Sequence, residues 1–312
     1  MKNLSYSLDF YIFSNKKLNW RLMRRHLKLI LLILYIATQL FAQIKVYDDL
    51  GREIELDSPA QRIVSLAPSI TETLFFLGVG DRVVGVTRYC NFPPEAKSKT
   101  IVGGVIDPNY EVIVSLKPEL IIMTVEGNTR EAFEKLSNLG FKIFVTNPRN
   151  FDGIFKTIID IGRLCGVESR ANFLVDSLKK ELERVKKVNS GGTKPKIFAI
   201  LSLNPLMTAG KNTFINEIIK NAGGINVGEN LKQNYPIFSR EEVLKVNPDI
   251  IILTDPNIGK DELLKMFPEW KYIKAVKENK IFKVDPDILL RPSPRVVIAV
   301  KVIGQLINKF SK

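Results

Sequence analysis

The sequence predicts an α/β fold of two similar lobes joined by a long, rigid helix. Three observations carry that expectation. From residue 62 onward, short apolar runs alternate with amphipathic stretches, the pattern of strands and helices packed in layers. EVIVSLKPELII at 111–122 recurs as EEVLKVNPDIII at 241–252, a constant offset of 130 residues, so a unit of helix, proline stop and buried strand is used twice. Between the copies, Leu174, Leu178, Leu182 and Val185 return at helical spacing, with Lys and Glu filling the other face. The expected layout is an N-terminal lobe over 43–150, a helical connector over 151–190 and a C-terminal lobe over 191–312.

Each element has a local reason. Arg62–Leu66 reads as a strand, and Ser69-Ile70-Thr71-Glu72 reads as a capping box opening a helix that stops at Gly78. Val83–Val86 is the next strand. A helix near Asn109–Leu116 is stopped by Pro118, and the apolar run Leu120–Met123 follows as a strand. Thr129–Leu139 is helical with Gly140 at its C-terminal cap, and Lys142–Val145 is a strand. The connector is helical over Phe151–Val188, stiff where a Gly/Ser linker would be flexible. Pro195–Leu203 restarts the series with a strand, and Phe214–Asn221 is a helix closed by Gly223-Gly224.

Residues 1–42 stand outside this pattern. LILLILYIA at 29–37 follows Arg24, Arg25 and Lys28. A spanning helix needs about 20 apolar residues, so a shorter run with a basic start and a small residue at Ala42 reads as a secretory signal cut near Ala42–Gln43. Met23, directly before Arg24, is where such a signal would start. No Cys stands at the cut that follows the apolar run, so the expectation is a soluble protein exported to the periplasm without a lipid anchor.

Composition narrows the function. The 312 residues hold 46 Lys+Arg against 33 Asp+Glu, but seven of the bases and one acid lie in 1–42. The remainder carries 39 bases and 32 acids, a net charge of +7. No basic run is interleaved with aromatics, which argues against nucleic acid as a partner. The one histidine, His26, lies ahead of the fold, and there are two cysteines. Zinc hydrolases, His-dependent triads and four-cysteine zinc sites are thereby excluded, and no enzymatic activity is expected. Cys165, in the apolar stretch IIDIGRLCG, reads as a buried thiol. Cys90 is either a residue of the binding site or a disulfide partner of Cys165.

RIVSLAPSITETLFFLG at 62–78, VVGVTRYCNFPPE at 83–95, the repeated helix–Pro–strand unit and RPSPR at 291–295 together resemble the substrate-binding proteins of ABC importers. The nearest group is the one for vitamin B12, iron-siderophores and haem, with the cobalamin-binding type closest. The resemblance spans about 45–310. It implies two α/β lobes with a ligand cleft between them, a cobalt or iron chelate as ligand, no catalysis and no cofactor, and a monomer that delivers its ligand to a permease dimer with ATPase subunits. A chelated metal needs no protein imidazole, whereas bare zinc or manganese sites generally do. Ferric siderophore and haem remain the alternatives within the class. An envelope enzyme or metal-centre assembly protein on a similar fold is the alternative outside it.

Candidate cleft residues follow. Tyr89 lies on the loop after Val83–Val86 with Asn91, Phe92 and Pro93, and a strand-end loop is where α/β folds place ligands. The resemblance sets Tyr89 against a corrin and makes Tyr235 a further aromatic contact. Gly104, Val105 and Asp107 form a cleft loop in which glycine permits close backbone approach. Val105 and Thr124 stand where a B12 binder of the group carries tryptophans. Asp287 and Arg291 stand where the group contacts ligand amides; a local ion pair four residues apart is the other reading. Ser293 reads as an N-cap for the last helix. Glu111 and Glu241, equivalent in the repeat, lie two residues after the N-caps Asn109 and Ser239, where helix-dipole stabilisation alone would account for them. The resemblance makes them the two contacts to permease arginines, one per lobe.

Overall fold

The structure is a computed structural model and describes residues 23–30, 43–189 and 194–309. Residues 23–30 are helical (α1). Most of the apolar signal run and the proposed cleavage point lie outside the described residues. Among the described residues, no helix is long and apolar enough to cross a membrane.

After β1 (Ile44–Tyr47) and β2 (Glu53–Leu56), residues 63–146 build a five-stranded parallel sheet. Its strands are β3 (Ile63–Ser65), β4 (Val83–Val86), β5 (Thr100–Ile101), β6 (Leu120–Thr124) and β7 (Ile143–Thr146), in the order β5-β4-β3-β6-β7. A second sheet, also parallel, takes β8 (Lys196–Ile200), β11 (Ile225–Asn226), β12 (Ile250–Leu253) and β13 (Ile281–Lys283) in the order β11-β8-β12-β13. A short antiparallel pair, β9 (Ser202–Leu203) and β10 (Leu206–Met207), follows β8. Parallel sheets are covered on both faces, so their strands are apolar throughout; β6, β7 and β12 are buried along their whole length.

The repeat is built in three dimensions. β3 and β8 hold the same place in their sheets, as do β6 and β12. Before β6 and β12 the chain turns through left-handed residues at matching positions, Lys117 (φ 46) and Asn247 (φ 48). The acids that follow have matching jobs. Glu119 accepts the Gln61 amide at 2.6 Å and Asp249 the Lys196 amide at 2.8 Å, each fixing the entry of the neighbouring strand. The helices of the repeat, α3 (Tyr110–Ser115) and α8 (Arg240–Val246), are capped by Asn109 and Ser239, the latter in a full capping box with Glu242; α4 (Arg130–Asn138) follows β6, and α9 (Lys260–Met266) and α10 (Lys274–Lys277) follow β12.

Two local expectations change. Helix α2 (Pro68–Phe76) starts two residues earlier than the Ser69–Glu72 pattern implies, because Pro68 occupies the first turn and the cap residue is Ala67 without a side-chain bond. Ser69 and Glu72 therefore form no capping box, and Glu72 is fully buried. The connector is two helices, α5 (Phe151–Leu164) and α6 (Glu168–Asn189). Gly166 breaks it with φ 66, and a Cβ there would lie 2.7 Å from the Pro59 ring. The long helix of the connection is thus α6, about 33 Å at 1.5 Å per residue. It packs on α5 and on α7 (Phe214–Asn221) and α12 (Val296–Lys309) of the second lobe, while α5 packs on α2 of the first.

Candidate functional site

The site is assembled on loops that follow strands of the two sheets. Beyond β4 come Arg88, Tyr89 and Asn91; beyond β5, Gly104, Val105 and Asp107; beyond β6, Glu126. From the second lobe come Tyr235, ahead of α8, and the segment 286–295, which includes α11 (Pro286–Leu289) and lies beyond β13.

At one end, Glu72 is the hub. Its Oε1 accepts from Arg291 at 2.9 Å and from Arg295 at 3.1 Å, and its Oε2 accepts from the Ser293 hydroxyl at 2.5 Å. Burying a carboxylate this deeply is tolerable only with such partners. Ser293, expected as an N-cap, instead donates to Glu72 and accepts the Arg295 amide at 3.2 Å. Arg291 also donates to Asn91 Oδ1 at 2.7 Å and to the Tyr89 carbonyl at 3.3 Å. Asp287 makes the local pair with Arg291 at 2.5 Å and accepts from Asn91 Nδ2 at 2.7 Å. The Arg295 guanidinium lies 4.1 Å from the centre of the Phe92 ring, a cation–π contact. Tyr89 itself is 53% exposed, with the Arg88 guanidinium 5.9 Å from its ring centre.

At the other end, the Tyr235 hydroxyl donates to Glu126 Oε2 at 2.7 Å, and Arg149 pairs with the other oxygen of Glu126. Burial pushes the Tyr235 phenol above its usual range, against the lowering effect of Arg149, so it remains a donor at neutral pH. Between the ends lies a small cavity of about 160 Å³ lined by Val105, Thr124, Glu126, Pro148, Leu290 and Arg291 among others. The space over Gly104 is taken by Asp107, whose Oδ1 would lie 2.0 Å from a Cβ at that position; Asp107 pairs with Arg88 at 3.0 Å.

The structure thus joins Tyr89, Asp287 and Arg291 in one network, sets Val105, Thr124 and Arg291 around one cavity, and ties Tyr235 to its rim through Glu126. Gly104 and Asp107 form a separate pair with Arg88. Glu111 and Glu241 are exposed in the first turns of α3 and α8. Sequence reasoning missed Glu72, Asn91, Glu126, Arg149 and Arg295 as members of the site. It also missed a set of exposed apolar side chains on these loops: Ile106, Val125, Ile237 and Leu290. Cys90 and Cys165 are both free and buried. Thr71 and Thr87 lie 3.1 and 3.2 Å from the Cys90 sulfur, and burial pushes the Cys165 thiol up to about 12. A larger cavity, about 900 Å³, adjoins the Tyr235 end of the site at Arg149 and extends between Phe151, Phe155, Lys186, Lys211 and Glu217.

Two parallel sheets with a polar, arginine-centred cleft at their strand ends define a solute-binding protein, and residues 63–288 match the periplasmic binding protein family. The chain belongs to that family, whose members bind solutes and are not enzymes. It is 31% identical over 276 residues to the uncharacterized ABC transporter substrate-binding lipoprotein YvrC of Bacillus subtilis (strain 168), covering 85% of each chain. The periplasmic vitamin B12-binding protein BtuF of Vibrio cholerae superposes with a TM-score of 0.72 at 27% identity, over 80% of this chain and 98% of that one. The apo periplasmic haem-binding protein RhuT of Roseiflexus sp. RS-1 superposes with a TM-score of 0.74 at 26% identity, over 81% and 100%.

Proposed function

We propose that this protein captures cobalamin or a related corrinoid in the periplasm and hands it to an ABC permease dimer driven by ATPase subunits. The ligand lies against Tyr89, Gly104, Val105, Asp107, Thr124 and Tyr235, with Asp287 and Arg291 meeting its side-chain amides. The observation that carries this reading is the make-up of the strand-end loops: exposed Tyr89, Ile106, Val125, Ile237 and Leu290 beside the Arg291–Asp287–Asn91 network. A flat chelate with an apolar face and a hydrogen-bonding rim needs both kinds of surface. The sequence after His26 holds no imidazole, so the donor set suits a metal already wrapped in its own ligands.

Titration calorimetry with cyanocobalamin, haemin and a ferric hydroxamate siderophore tests the proposal. Tightest binding of cyanocobalamin supports it; saturable binding of either iron chelate with none of cyanocobalamin overturns it. One observation favours haem as a second reading, namely the exposed Tyr89 phenol on a cleft loop, since tyrosine is an established axial ligand of haem iron. A tyrosinate-to-iron absorption band with haemin, lost in Tyr89→Phe, would establish that reading instead.

Glu111 and Glu241 dock the two lobes on the permease. They are exposed at equivalent places in the repeat, and a dimeric permease presents the same basic surface twice. The capping acid of α8 is Glu242, which leaves Glu241 available. The double variant Glu111→Ala/Glu241→Ala should keep ligand affinity and impair uptake by the cognate permease; normal uptake would leave only the helix-dipole role.

A further inference from the structure

The charges of the cleft are matched among themselves. Glu126 is met by Arg149, Asp107 by Arg88, Asp287 by Arg291, and Glu72 by Arg291 and Arg295. Each of these four arginines is already committed to a carboxylate, so none waits for an anionic ligand. Glu126 is the acid among these that lines the cavity between the lobes. Like Asp287, which is 27% exposed and accepts from Asn91 across the lobes, it is partly exposed, at 26%, and holds a partner, Tyr235, from the opposite lobe at 2.7 Å.

That cavity, about 160 Å³, is below the roughly 300–1,000 Å³ of small-molecule pockets. A chelate that fills the cleft has to displace a cross-lobe contact. A phenol on a partly exposed carboxylate that lines the cavity yields at less cost than the Glu72 hub, which is fully buried and would leave two arginines unmatched. When Tyr235 moves away, Glu126 loses a donor on the wall that faces the ligand. An N–H or O–H on the ligand rim restores it, whereas a carboxylate or catecholate there meets a like charge.

Resting on the reading of this cleft as a chelate site, we infer that Glu126 selects the ligand: it accepts hydrogen bonds from a chelate whose rim is neutral and rich in amide N–H groups, and it rejects chelates with an anionic rim. The selectivity comes from a carboxylate already paired with Arg149, so the site carries no net positive charge for an anionic rim.

Paired probes that differ only in rim charge test this. One pair is cyanocobalamin and its monocarboxylic acid, made by hydrolysing one propionamide; the other is haemin dimethyl ester and haemin. The wild-type protein should favour the neutral member by about tenfold or more, and Glu126→Gln, which keeps an acceptor for Tyr235, should bring the ratio to within about threefold. Glu126→Asp, which keeps the charge, should retain the preference. An unchanged ratio in Glu126→Gln, or an equal loss in Glu126→Asp, overturns the assignment. If only the haemin pair binds, the corrinoid reading fails, and the ratio for that pair still decides the role of Glu126.

Discussion

Glu72 and Glu126 both tie the first lobe to the second, and they do so in opposite physical regimes. Glu72 is fully buried, with two arginines and a serine hydroxyl on its two oxygens. Glu126 is at the cavity edge with one arginine and one phenol. In a low-dielectric setting a matched charge cluster is costly to break even if it was never cheap to form; near solvent the same chemistry contributes little. The first carboxylate therefore acts as a joint and the second as an exchangeable surface, in one cleft and with the same residue type.

The largest effect that would break this comparison is on stability. Glu72→Ala should cost about 3–5 kcal/mol, because Arg291 and Arg295 lose their shared partner in the interior. Glu126→Ala should cost less than about 1 kcal/mol. Urea unfolding of the two variants reads both, and equal losses would remove the distinction between joint and surface.

Next in size is the separation of binding from folding within the network. Tyr89→Ala should weaken cyanocobalamin binding by about 1–3 kcal/mol through lost contact area and leave the unfolding midpoint in place, since the ring is 53% exposed. Arg291→Ala should weaken binding and also lower the midpoint, because it serves Glu72 as well as the cleft. A variant of Arg291 with wild-type stability would sharpen the comparison by assigning the whole joint to Arg295.

The smallest effect lies in the repeat. Lys117 and Asn247 share a left-handed backbone, but Asn247 Oδ1 also accepts the Lys274 amide at 2.8 Å. Lys117→Gly should raise stability by up to about 1 kcal/mol by relieving its backbone. Asn247→Gly should give no gain, since it discards a hydrogen bond. A gain in thermal unfolding for Lys117→Gly with none for Asn247→Gly would show that equivalent turns in the two lobes are held by different means.

What could be read from the chain follows the same division between local and distant causes. The strand at Val83–Val86 and the helix at Phe214–Asn221 have the bounds expected from sequence, because a valine run and the cap residue Thr213 are local signals. The helix breaks at 165–167 were hidden by an apolar stripe that continues on both sides. Glu72 was misread for a sharper reason. Ser-x-x-Glu satisfies a capping pattern, yet its partners are 219 to 223 residues away, and nothing nearby in the chain reports them. Tyr235, Asp287 and Arg291 were reached through resemblance, whereas Glu126 and Arg149 lie on strand-end loops with no pattern of their own. Ile106 and Ile237 look like core residues in any hydropathy profile and only their exposure, 70% and 65%, sets them apart.

Backbone amide hydrogen exchange with and without cyanocobalamin separates the cleft from the larger cavity around Phe151 and Lys211. A ligand held in the cleft adds protection at 88–92, 103–107, 124–128, 234–237 and 287–293, with none near Phe155 and Lys211. Protection confined to 149–155 and 211–220, around the larger cavity, would contradict it.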